Sequence, residues 1–65
     1  MKIIFMCLDA IYDYIKNHDY IRLGQFLENF YTWHKIKYRE DLYYINNETF
    51  LLRLKTFINS SYQKG

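Results

Sequence analysis

Asn46-Asn47-Glu48-Thr49-Phe50-Leu51-Leu52-Arg53-Leu54-Lys55-Thr56-Phe57-Ile58 is the stretch that settles the fold class. Phe50, Leu51, Leu54, Phe57 and Ile58 recur at the three- and four-residue intervals that line one face of an α-helix. Asn46 or Asn47 supplies the N-cap, and Glu48 suits the positive end of the helix dipole. Arg53 and Lys55 are expected to face outward, and Leu52 falls off the stripe. From about residue 60 the chain reads as a frayed tail.

Working backward, Ile36 to Ile45 is ambiguous. A helix would place Tyr38, Leu42 and Ile45 on a stripe begun by Phe30. A hairpin would pair residues 35–38 with 42–45 around Arg39-Glu40-Asp41. An isolated hairpin is marginal in water, so helix is preferred, with a break near 37–41. Before it, Leu23, Phe26, Leu27, Phe30 and either Trp33 or His34 hold the helical spacing, with Asp19 as N-cap and a start at Tyr20. Gly24 interrupts this helix, either to let helices 1 and 2 approach closely or as a tolerated weak spot. The first helix, from about Ile3 to Lys16, sets Ile4, Leu8, Ile11 and Ile15 on one face, widened by Cys7 and Tyr12. Asp9, Asp13 and Lys16 lie opposite, and Asn17-His18 reads as a stop. The chain has no proline, and glycine only at Gly24 and Gly65. Without Asn-Gly or Asp-Gly, hairpin turns lack their usual chemistry. The expectation is an all-α chain, residues 1–65 forming a single helical domain. It is a small bundle of three helices, or four if the central segment 36–45 forms its own.

Fourteen of 65 residues are aromatic, eight of them tyrosine. Eight isoleucines, seven leucines and two methionines already fill most of a small core. Phe5, Phe26, Phe30, Phe50 and Phe57 can be assigned mostly to helix stripes. Five of the remaining rings, Tyr31, Trp33, Tyr38, Tyr43 and Tyr44, gather in the middle of the chain, interleaved with bases. Tyr31, Trp33, Lys35, Lys37, Tyr38, Arg39, Tyr43 and Tyr44 are therefore the candidate partner-binding residues. Tyrosine, tryptophan and arginine are the commonest interface anchors. The same residues could stack bases and hold phosphates, which makes a small nucleic-acid-binding protein the alternative. It ranks second because Glu40 and Asp41 adjoin the patch and the net charge is only +2.

Other classes find little support. Cys7, His18 and His34 lack the close paired spacing of a metal site, so no metal and no cofactor is expected. A lone cysteine in an apolar stripe is expected to be inert, and no phosphate-binding glycine loop occurs, so neither an enzyme nor a small-molecule substrate is expected. The apolar start, residues 3–8, stops at Asp9 without a cleavage signature, and no stretch reaches membrane-spanning length. The unpaired cysteine fits a cytoplasmic setting. Residues with AT-rich codons total 34 against six with GC-rich codons. That bias suits a low-GC bacterium, its phages or a virus. The expected function is a protein-binding module, self-associating as a homodimer, that regulates or inhibits a host protein.

Overall fold

A computed structural model describes residues 2–60 of the chain. The tail expected from about residue 60 lies, past Ser60, outside the described residues. Three α-helices run in order: α1 (Lys2–Lys16), α2 (Leu23–Tyr38) and α3 (Asn47–Ile58). A single 3-10 turn, Leu42–Tyr44, stands between α2 and α3. No strand occurs among the described residues.

α3 forms as its sequence dictates. The Asn46 side chain accepts from the Thr49 N–H at 2.8 Å, which fixes Asn46 as the cap. Leu54 and Phe57 are buried and Phe50, Leu51 and Ile58 pack beside them. The central segment resolves into neither a hairpin nor one long helix. α2 runs on through Tyr38 and stops at Arg39, which adopts the left-handed conformation (φ 58, ψ 35) and donates its N–H to the Lys35 carbonyl at 2.8 Å. This is a helix stop usually made by glycine. Asp41 then caps the 3-10 turn by accepting from the Tyr43 N–H at 3.1 Å.

The start of α2 differs from expectation. Asp19 caps nothing, and the helix begins three residues after Tyr20, at Leu23. Arg22 stands at the N-cap with no side-chain bond to the helix. Residues 17–22 instead form a connection whose N–H of Ile21 donates to the His18 carbonyl at 2.9 Å. That turn drives Ile21 into the core, and the burial outweighs a tidier cap. Gly24 is also explained differently. A Cβ at this position would meet no atom within 4 Å, so no close approach of α1 requires glycine. Gly24→Ala is accordingly expected to stabilise the chain by about 0.5–1 kcal/mol, read as a raised denaturation midpoint.

The core is an aromatic ladder. Phe57 of α3 lies 5.6 Å from Phe26, 5.4 Å from Phe30 and 5.1 Å from Trp33, ring centre to ring centre. Three successive turns of α2 thus close on one ring of α3. α1 packs on α3 as well, and meets α2 through Tyr14, whose ring centre lies 5.4 Å from that of Phe26. Ile4 and Cys7 share a crevice with Asn47 and Phe50, and Ala10 and Tyr14 share another with Lys55 and Ile58. α1 and α3 therefore run parallel, starting and ending at the same poles.

Because α2 does not close over α1, the first stripe is only half used. Cys7, Ile11 and Tyr14 are buried, but Ile4 is 43% exposed, Leu8 57% and Phe5 74%. Successive helical residues turn by about 100°, so the α3-facing side of α1 passes through Cys7, Ala10 and Tyr14 and leaves Ile4 and Leu8 aimed toward α2. There Leu23 and Leu27 face them across an open groove that leaves them in contact with water. Burial pushes the Cys7 thiol above its ordinary range, as its apolar setting requires.

Candidate interaction surface

The corner joining α2 to α3 holds the aromatic and basic stretch, and the fold divides its residues sharply. His34 is fully buried and Trp33 half-buried; the two had been alternatives for one core position. His34 Nε2 lies 2.8 Å from Arg53 Nη1, and its Nδ1 lies 2.9 Å from the Glu40 carbonyl. A guanidinium can only donate, so Nε2 accepts, and the proton sits on Nδ1, which donates to Glu40. Arg53 also reaches the Glu40 carboxylate at 3.5 Å and covers the Tyr38 ring at 3.9 Å. Arg53 is therefore not the outward-facing residue its position on α3 suggests. It is the clasp that fastens the end of α2 and the following turn to α3.

Trp33 and Tyr38 belong to this construction. Trp33 touches Phe30, Phe57 and Tyr38, and Tyr38 is held between His34 and Arg53. Tyr31 ties the other side of the corner, its hydroxyl donating to Asp41 at 3.1 Å while the Lys35 ammonium stands 5.7 Å from its ring. The Tyr43 N–H holds the Asp41 carboxyl below its ordinary range, with the Tyr31 hydroxyl and Lys35 adding to the effect. Lys35, Lys37 and Arg39 remain exposed. Lys35 and Lys37 point to opposite sides of α2, because two residues turn a helix by about 200°. Tyr43 and Tyr44 stand out furthest, 84% and 73% exposed, with ring centres 5.0 Å apart at nearly a right angle.

These placements separate two outcomes. Trp33→Ala is expected to cost about 2–3 kcal/mol of stability, because it empties a slot against Phe57. Tyr44→Ala is expected to stay within about 0.5 kcal/mol of the parent, as exposed substitutions do. Urea denaturation followed by circular dichroism distinguishes them.

A second feature of the surface lies outside the aromatic stretch. Between α1 and α2 runs an apolar groove made of two adjoining crevices of about 300 and 400 Å³. Leu8 and Ile11 line both crevices, Leu23 and Leu27 form the far wall, and Phe50 closes the floor at one end. Asn47, three residues past Tyr44, lines that same end. Tyr12 forms part of the groove wall, and Phe5, 74% exposed, lies one turn before Leu8 in a separate crevice with Lys2, Met6 and Asp9. The unbroken apolar run of residues 3–8 was the available signal, since it faces every side of the helix and no single neighbour can cover it. Among the described residues no helix is long and apolar enough to cross a membrane, and no cluster of His, Cys, Asp and Glu could hold a metal ion. No protein-family model, curated protein or solved structure matches the chain.

Proposed function

We propose that the chain is a protein-binding module that regulates a partner by covering part of its surface, with the corner after α2 as its contact site. The observation carrying this reading is the pair Tyr43 and Tyr44, exposed on a turn that is pinned from both sides. Asp41 fixes the turn through Tyr31 and the Tyr43 N–H, and His34 with Arg53 fixes the residues before it. Rigid tyrosines offer large contact area with little ordering cost on binding. Lys35 and Arg39 flank them with charge and directional hydrogen bonds. The split of Lys35 from Lys37 across α2 leaves no continuous basic stripe of the kind that tracks a phosphate backbone.

The reading is tested by capture from a lysate of a low-GC bacterium, comparing the parent chain with the Tyr43→Ala/Tyr44→Ala double variant. A stoichiometric protein that the parent retains and the variant loses is the expected result. Recovery of nucleic acid alone, released steeply as salt rises, replaces this reading with the nucleic-acid alternative.

A further inference from the structure

We propose that the groove between α1 and α2 is closed by a second copy of the chain, in a two-fold dimer whose axis passes beside Leu8. The area fits this occupant. Ile4, Leu8, Tyr12, Leu23 and Leu27 of the groove, with Phe5 one turn before Leu8 on α1, leave on the order of 700 Å² of mostly apolar residue surface in contact with water. The largest apolar patch on an ordinary monomer is about 300–600 Å², and each partner in a standard interface gives up about 800 Å². One copy therefore already presents close to one full side of a stable interface.

The shape points the same way. An interface built on a two-fold axis uses the same patch twice, so that patch must hold both projections and receptacles. This one does: Tyr12, 64% exposed, stands at the wall of the crevice of about 300 Å³, the adjoining one holds about 400 Å³, and Phe5, 74% exposed, projects one turn before Leu8. Leu8 is the one residue that lines both crevices and is more than half exposed, which puts it at the patch centre and hence at the axis. With the two α1 helices antiparallel about Leu8, Ile4 meets the second copy's Tyr12. Lys2, Asp9 and Asp13 lie more than a quarter-turn away from Leu8 around α1, so the apolar centre governs affinity.

Sedimentation equilibrium from low to high micromolar concentration tests the dimer. The parent is expected to dimerise, and Leu8→Glu is expected to weaken dimerisation by about 30-fold or more, the effect of losing a central anchor. Leu8 is exposed in the protomer, so helicity by circular dichroism should not change. Tyr12→Lys, also at an exposed position, serves as a second variant and should act in the same direction. Tyr43→Ala/Tyr44→Ala should leave the dimer intact. A parent that stays monomeric overturns the proposal, as does a dimer that survives both groove variants. A dimer lost only with the tyrosine pair overturns it too and moves self-association to the corner. None of these results depends on whether a foreign protein is captured, so this proposal and the proposed function fail separately.

Discussion

Phe57→Ala is expected to leave the chain largely unfolded at room temperature, with the loss of about 4 kcal/mol. Phe57 is fully enclosed, and its ring meets Phe26, Phe30 and Trp33 at centre distances between 5.1 and 5.6 Å. Removing it empties the one place where α2 and α3 interlock along three turns. A domain of this size has only about 3–5 kcal/mol in hand, so the substitution approaches the whole of its stability. Thermal unfolding by circular dichroism should show a broad, early transition or none. A sharp transition near that of the parent would mean that the ladder is not the centre of the core.

The second large effect falls on the clasp. His34→Ala is expected to cost about 3 kcal/mol, since it deletes a fully buried ring and breaks its two part-buried hydrogen bonds, to the Glu40 carbonyl and the Arg53 guanidinium. Arg53→Ala should cost less, about 1–2 kcal/mol, because it leaves only the buried His34 Nε2 without its donor, while Tyr38 and Glu40 lie nearer to solvent and recover water. The double variant should fall short of the sum by about 1 kcal/mol, the coupling expected of residues in direct contact. Urea titrations of the four proteins give this value directly. Full additivity would show that the bond at 2.8 Å between them contributes nothing.

The helices were legible in the sequence where one face was apolar and one polar. α3 and the middle of α2 read correctly because Phe26, Phe30, Leu54 and Phe57 each have a single available direction. α1 was legible as a helix but not in its packing. Its periodicity shows that Ile4, Leu8 and Ile11 share a side, yet says nothing of whether a neighbour comes close enough to cover them. That depends on the separation of α1 and α2, a property of how each seats on α3. The break after Tyr38 was anticipated, but its chemistry was hidden, since arginine in a left-handed conformation has no local signature. The candidate site was legible as a region and not in its division of labour. Trp33, Tyr38, Tyr43 and Tyr44 look alike along the chain. Only the fold draws the first two inward and turns the last two out. His34 and Arg53, nineteen residues apart, carried no mark of their pairing.

The parallel course of α1 and α3 has an electrostatic consequence. Aligned peptide dipoles place about half a positive charge at a helix N-terminus and half a negative charge at its C-terminus. α1 and α3 add at each pole, and α2, which runs the other way with Leu23 beside Tyr12 and Ile15 and Leu27 beside Ile4, cancels about one of them, leaving a net dipole of about one helix. Lys16 and Lys55 sit in the last turns of α1 and α3, so side-chain charge answers the negative pole, while Lys2 and Glu48 in the first turns offset each other at the positive one. What a single copy offsets with side chains, a pair can offset by symmetry. In the proposed dimer, with α1 antiparallel to its mate about Leu8, each negative pole faces the mate's positive one, and the net dipoles of the two copies oppose each other across the axis.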